Sequence, residues 1–193
     1  MKIGIAGIGG IGSNVARILA QAGLGQIKIV DFDTVEAGNL NRQFYRISQV
    51  GQKKTESLAG NLIEICPDMD IEVVEKKIGP GDAADLFADC SIVVEGLDDK
   101  GLKKMIIEEL ASCGIPVVAA SGIAGPDMET VDVKQMGACH IVGDLSSDQD
   151  DHELFPPKIG LITSIMAGIA LRLIAEKTDQ PVSNQSGKDI ADE

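Results

Sequence analysis

KIGIAGIGGIGSNVARILAQAGLGQIKIVDFDTVEAGNLNRQFYR, residues 2–46, holds a complete supersecondary unit. A short apolar run, Ile3 to Ala6, leads into a glycine cluster of Gly7, Gly9, Gly10 and Gly12. Val15, Ile18, Leu19 and Ala22 then recur at three- and four-residue spacing, the period of a half-buried helix. Gly23 and Gly25 end that pattern, and a second apolar run, Ile27 to Val30, closes on Asp31. Strand, glycine turn, helix, strand and acid, in that order, form the mononucleotide-binding unit of a doubly wound α/β fold.

Each part has a physical task. Gly7 permits a tight turn out of the first strand. Gly9 and Gly10 lack a Cβ, so a phosphate can approach the backbone. Gly12 lets the helix pack close to the sheet. The helix N-terminus offers unpaired N–H groups and a positive dipole end to an anion. Asp31 lies 19 residues beyond Gly12, where a carboxylate can accept hydrogen bonds from ribose hydroxyls. The motif in this frame points to nucleotide binding; the bland alternative is a scaffold of the same shape that has lost its ligand.

Bulk properties narrow the field. With 193 residues, 44% of them hydrophobic, the chain suits one globular domain. It has no Trp and one Tyr, so the core must be built from aliphatic side chains. A net charge of −13 argues against general binding to nucleic acid or to anionic membranes. Cys66, Cys90, Cys113 and Cys139 form no C-x-x-C pair, which speaks against structural zinc and suits reduced thiols in a cytoplasmic protein. Met1 and Lys2 lead straight into a core strand, so no signal peptide is expected. The most apolar late stretch, Ile159 to Leu171, is short for a membrane span and is followed by Arg172.

Beyond Asp31 the chain departs from an ordinary dinucleotide-binding unit. Asp33 to Phe44 is a polar insertion rich in amide side chains, and Arg42 and Arg46 are two of the four arginines in the protein. A guanidinium placed after the carboxyl end of a strand can reach nucleotide phosphates; it can equally be a solvated surface group. Gly51 to Lys54 precedes an expected helix, Thr55 to Cys66, stopped by Pro67. Ile71 to Val74 reads as a third strand, Ala83 to Phe87 as a short helix and Ser91 to Glu95 as a buried fourth strand. Asp98 and Asp99 follow that strand. They suit Mg²⁺ near a triphosphate or the cap of a helix over Lys100 to Cys113, one role for each residue. Ile115 to Ala120 is a fifth strand. Runs at Glu129 to Val133 and Ala138 to Val142, joined at Met136-Gly137, predict an antiparallel hairpin. Asp144 to Glu153 carries five acids and no base and reads as a mobile, solvated loop. Pro156-Pro157 can start a helix, and Ile159 to Ala175 is apolar on most sides, which predicts a buried helix.

From Asp31 to Lys54 the chain resembles the ThiF/MoeB family, bacterial relatives of ubiquitin-activating enzymes. The matching pieces are G-I-G-G-I-G at Gly7 to Gly12, D-F-D-T-V at Asp31 to Val35, N-L-N-R-Q-F at Asn39 to Phe44, G-Q-K-K at Gly51 to Lys54 and the L-D-D turn at Asp98. The resemblance covers roughly residues 2–121 and resumes over 157–174, and the short chain looks most like ThiF-type proteins of thiamine biosynthesis. It implies an enzyme that binds ATP and Mg²⁺ and adenylates the C-terminal glycine of a small ubiquitin-like, ThiS-like sulfur carrier, commonly as a homodimer. It also implies site residues. The glycines, Asp31 and Asp33 would hold the nucleotide, with Asp31 at the ribose. Asn39, Arg42 and Lys54 would face the phosphates, with Gln43 beside them, and Asp98 would serve the metal.

The sequence departs from the family in three ways. It lacks the paired cysteines that hold zinc in larger members. Met1 and Lys2 alone stand before the first strand, where many members carry an arginine for the partner subunit's site. No cysteine follows Cys139, which is therefore the nearest candidate for a covalent link to a carrier, or else a small residue at a strand start. Cys113 reads as structural. The expected fold is a three-layer, Rossmann-like α/β domain over residues 1–177, its mainly parallel sheet extended by an antiparallel hairpin, with a disordered tail at 178–193. Two other functions share the glycine motif: a NAD-dependent oxidoreductase, and a non-catalytic protein that binds nucleotide or carrier.

Overall fold

The structure, a computed structural model, describes residues 1–148 and 150–178; the expected tail beyond 178 lies outside the described residues. The elements run β1 (Lys2–Ala6), α1 (Gly12–Gln21), β2 (Gln26–Asp31), α2 (Lys54–Ile63), β3 (Asp70–Glu75), α3 (Ala83–Leu86), β4 (Ile92–Glu95), α4 (Lys100–Ser112), β5 (Val117–Ala120), β6 (Asp132–Met136), β7 (Cys139–Gly143) and α5 (Pro156–Thr178). Seven strands form one sheet in the order β3-β2-β1-β4-β5-β7-β6. All pairings are parallel except β6 with β7. The expected three-layer α/β class is the observed one.

Alternation along the strands sorts the side chains into two cores. Ile3, Ile5, Ile27, Ile29, Ile92 and Val94 face α1, α2 and α5. Ala6, Val30, Val93, Val117 and Ala119 face α3 and α4 with Phe87, Ile106 and Leu110. The central strands are therefore apolar on both sides, as a sheet covered by helices on both faces requires. Strand order reverses between β1 and β4, which opens a crevice above their carboxyl ends.

Three expectations need correction. The first strand of the hairpin is Asp132–Met136, three residues later than the pattern at Glu129 suggested. The Asp127 carboxylate accepts the Glu129 N–H at 2.9 Å and the Thr130 hydroxyl at 3.0 Å, which holds those residues in a turn. The last helix, expected to be buried over Ile159 to Ala175, runs 23 residues from Pro156 to Thr178, so by length and composition it is long enough to cross a membrane, where the most apolar stretch alone read as too short. Here one face, Ile159, Ile162, Met166 and Ala170 among others, is buried in the first core, while Leu161, Ser164, Gly168 and Arg172 on the other are exposed. The acidic segment is likewise not solvated throughout. The Asp144 side chain is buried and meets the fully buried Lys158 at 2.5 Å. Lys158 Nζ also donates to the Ala124 carbonyl at 2.7 Å, which ties the crossover segment to α5.

Candidate nucleotide site

The crevice above β1 and β4 is a cavity of about 370 Å³. Each wall follows from one strand end. Gly7, Gly9, Gly10 and Ile11 follow β1; Asp31 to Asp33 follow β2; Lys76 to Ile78 follow β3; Gly96 to Asp99 follow β4. Leu154 and Ile159 close it from the α5 side.

The glycine turn forms the floor. Gly7 sits at φ +81°, a left-handed conformation that favours glycine. A Cβ on Gly12 would lie 2.0 Å from the Gly7 carbonyl oxygen, so the start of α1 presses on the turn as the motif demands. No side chain caps α1, and the N–H groups of Gly9, Gly10 and Ile11 find no acceptor among the described residues. They are donors waiting at the positive end of a helix.

Asp31 is 8% exposed at the rim of this floor. Its Oδ2 accepts the Ile8 N–H at 2.8 Å and its Oδ1 the Asp33 N–H at 2.8 Å. The carboxylate thus fixes the glycine turn as well as facing the cleft; each oxygen retains a lone pair for a ribose hydroxyl. Tyr45, which sequence reasoning passed over, donates its hydroxyl to the Ile8 carbonyl at 2.8 Å. Burial first, then the charges of Asp31 and Asp33, push that phenol up and keep it a donor.

The inserted segment leaves β2 and returns to it. Val35 N–H donates to Gln52 O at 2.8 Å, and Gly51 N–H to Val35 O at 2.8 Å, so residues 36–50 form a closed excursion. It docks on the first turn of α1 through Asn14, whose amide donates to Gly10 O and Arg42 O at 2.7 and 2.8 Å. Arg42 and Gln43 are thereby carried over the floor. The Arg42 Cγ is 3.8 Å from the Cβ position of Gly10, and Gln43 Nε2 is 3.7 Å from that of Gly9. Gln43 Oε1 is buried with no hydrogen-bond partner among the described residues. A buried acceptor left open in a cleft is a place for a ligand donor or ordered water. Asn39, expected at the phosphates, lies outside the cleft lining. Its Oδ1 accepts from Arg42 Nη2 at 3.1 Å, so it positions the guanidinium instead. Arg46 is elsewhere, paired with Glu64 on the surface.

Lys54, the first residue of α2, is 6% exposed and pairs with Asp33 at 2.8 Å. The two conserve opposite charges side by side in the cleft, where an incoming phosphate can compete for the lysine. Asp99 caps α4 by accepting the Leu102 N–H at 2.7 Å. Asp98 is exposed, lines the cleft and makes no hydrogen bond among the described residues. A carboxylate free in this way fits Mg²⁺, which takes one or two protein carboxylates together with phosphate and water oxygens. The two aspartates thus divide the roles of cap and free carboxylate.

Glu95, the last residue of β4, is fully buried under this loop. It accepts the Leu97 N–H at 2.7 Å and the Lys103 ammonium at 2.6 Å. An acid ending a strand that is apolar on both faces was its one signal in the sequence. Cys139 is buried at the start of β7, and burial pushes its thiol up, which leaves little thiolate for a covalent link. Cys113 is exposed at the end of α4, against its expected structural role.

A profile of the ThiF family matches residues 1–188. The adenylyltransferase and sulfurtransferase UBA4 of Candida glabrata is 32% identical over 183 residues, covering 90% of this chain and 42% of its own length. The molybdopterin-synthase adenylyltransferase of Escherichia coli is 29% identical over 181 residues, covering 90% of this chain and 73% of its own. The chain spans less than half the length of UBA4. Among solved structures, the Escherichia coli tRNA N6-threonylcarbamoyladenosine dehydratase in complex with ATP superposes with a TM-score of 0.84 at 23% identity, over 93% of this chain and 88% of that one.

Proposed function

The chain belongs to the ThiF family, and from that premise we propose that it is an ATP-dependent adenylyltransferase acting on the C-terminal glycine carboxylate of a small, ThiS-like sulfur-carrier protein. The observation that carries the reading is the seating of Arg42 and the unpartnered Gln43 Oε1 directly above an open, uncapped glycine turn. Nicotinamide chemistry gives neither residue a task at that point.

The chemistry joins two anions. A carboxylate oxygen attacks the α-phosphorus, a P–O bond forms, and the P–O bond to pyrophosphate breaks. Charge repulsion is the main obstacle, so positioning and neutralisation supply most of the rate. The N–H groups of Gly9, Gly10 and Ile11 hold phosphate oxygens. Arg42, kept in place by Gly38 O, Asn41 and Asn39, neutralises the departing side. Lys54 exchanges Asp33 for phosphate. Asp31 orients the ribose. Asp98 would hold a Mg²⁺ ion brought in with the triphosphate, which would add charge neutralisation there. No side chain need act as a nucleophile. A homodimer completes the proposal, by family likeness.

The test is a thermal shift with ATP and Mg²⁺ and, separately, with NAD. A ligand at 100 times its dissociation constant adds about 2.7 kcal/mol, roughly 5–11 °C for a domain of this size. The shift is expected with ATP, followed by pyrophosphate exchange that requires a carrier ending in Gly-Gly. A shift with NAD alone would return the chain to the oxidoreductase reading.

A further inference from the structure

The loop after β4 carries Asp98, and it is pinned on both sides of that residue. The Gly96 N–H donates to the Ala6 carbonyl at 2.8 Å. A Cβ on Gly96 would lie 2.7 Å from the Gly7 carbonyl oxygen and 2.9 Å from the Gly12 nitrogen, so the loop is wedged against the glycine turn. The Leu97 N–H donates to Glu95 Oε1 at 2.7 Å. On the other side Asp99 caps α4. Asp98 stands between these fixed neighbours and lines the cleft.

Glu95 is the one pin that is itself held by charge. It is fully buried at the end of β4. Its Oε2 accepts the Lys103 ammonium at 2.6 Å, and the same ammonium donates to the Ala120 carbonyl at 2.9 Å. Lys103 therefore ties Glu95 to the end of β5 as well as to α4. A buried ion pair is a poor source of stability, because desolvating the two charges cancels much of their attraction. What this one supplies is a fixed geometry. One carboxylate oxygen holds the loop and the other holds α4, so the side chain cannot turn without leaving a partner. The pair also adds no net charge beneath a cleft suited to phosphates, which a lone carboxylate would repel.

We propose that Glu95 is a positioning residue for the metal carboxylate: through the Leu97 N–H and Lys103 it sets the loop so that Asp98 meets a Mg²⁺ ion carried by the nucleotide. The inference rests on the nucleotide reading above and deepens it, because it says what keeps an exposed carboxylate in one place.

The test is a double-mutant cycle read by calorimetric titration of ATP, with Mg²⁺ and with EDTA, into wild type, Glu95→Gln, Asp98→Asn and the double variant. The ratio of the two affinities is the share that Mg²⁺ contributes. Glu95→Gln should cut that ratio by about tenfold, within the range of coupled neighbours, and leave the affinity in EDTA unchanged. Asp98→Asn should cut it at least as far, and the double variant no further than Asp98→Asn alone. Glu95→Gln/Lys103→Met, which leaves neither charge buried alone, is read in the same way should Glu95→Gln fail to fold. A wild-type ratio in the Glu95 variants overturns the inference. So does an equal loss with Mg²⁺ and with EDTA, which is what a merely structural residue would give, and so does a double variant whose losses add. In each of those cases the nucleotide reading stands. A wild-type ratio in Asp98→Asn removes the metal role of Asp98 and this inference with it. A wild-type protein that does not bind ATP overturns the nucleotide reading as well.

Discussion

Ile8 is held at both ends of its peptide groups. Asp31 accepts its N–H and Tyr45 donates to its carbonyl, so the phosphate-binding turn is braced by the acid after β2 and by the inserted segment. The same segment carries Arg42, whose contacts are all to neutral oxygens in its own excursion. Arg42→Ala should therefore lower carrier adenylation at least tenfold, about 1.4 kcal/mol in barrier. It should leave the melting temperature within a degree or so, because no buried partner is orphaned. Full activity in that variant would remove Arg42 from the mechanism. Most of this site was legible residue by residue. Gly7, Gly9, Gly10, Asp31, Asp33, Arg42, Gln43, Lys54 and Asp98 all line one crevice, because each follows a strand end or opens a helix and parallel topology gathers such points. Asn39 meets the cleft only through Arg42, because a motif records neighbours in the chain, not which of them lines the cleft. Tyr45 was missed because its partner, Ile8, lies 37 residues away, a distance at which spacing carries no signal, and Glu95 because nothing local shows that Lys103, eight residues on, turns back to it.

α5 shows how an element can hide a polar anchor. Its sequence reads as an apolar rod, yet Lys158 in its first turn is fully buried, with Asp144 at 2.5 Å and the Ala124 carbonyl at 2.7 Å. Burial pushes the Asp144 carboxyl up, but the Lys158 ammonium and the N–H groups of Ser147 and Ser146 outweigh it and hold the carboxyl well below the usual range. This pair fastens the chain between β5 and α5, including the hairpin, and sets the helix whose next residue, Ile159, closes the cleft. Removing one partner of a buried ion pair leaves the other uncompensated, at a cost of about 3–5 kcal/mol. Lys158→Met should lower the melting temperature by roughly 6–20 °C. Adding Asp144→Asn to it should restore part of the loss, since the charges cancel together. A single variant that melts with wild type would show the pair to be ornamental. The sequence could not announce this bond: a run of five acids is usually solvated, and nothing local distinguishes Asp144 from the four that follow. The hairpin was found with its first strand misregistered for a related reason, because Asp127 competes for the backbone with a turn.

Across the whole molecule, acid should lower stability in two stages, with Glu95 opposing. His140 on β7 is buried against α5; burial first, then the Arg172 charge, lowers its pKa, with Glu176 opposing. The unfolded histidine, near pH 6.5, then binds a proton before the folded one does, so stability begins to fall as pH drops through that value. The second stage belongs to carboxylates. At the amino ends of the strands Lys2 and Lys28 meet Asp89 at 2.6 and 2.5 Å, and Glu72 at 2.6 and 3.1 Å. Those lysines, Lys2 foremost, hold Asp89 and Glu72 low, and Asp144 is low for the reasons given. Groups lowered on folding stabilise above their unfolded values, near pH 4, and that stability is lost as pH falls towards the folded ones. Asp89 and Glu72 are half exposed, so solvent screening makes Asp144 the larger contributor. Glu95 runs the other way, since burial raises it despite Lys103, and its stabilisation grows as acid protonates it. Melting temperature measured from pH 8 to pH 3 should therefore decline gently below about 6.5 and steeply below about 4. His140→Gln isolates the first limb: its melting curve should be flatter than wild type between pH 7 and 5, whatever its absolute stability, and should keep the steep fall below 4. Parallel slopes for the two proteins between pH 7 and 5 would exclude His140 as the source, because Glu95 and the other carboxylates are common to both.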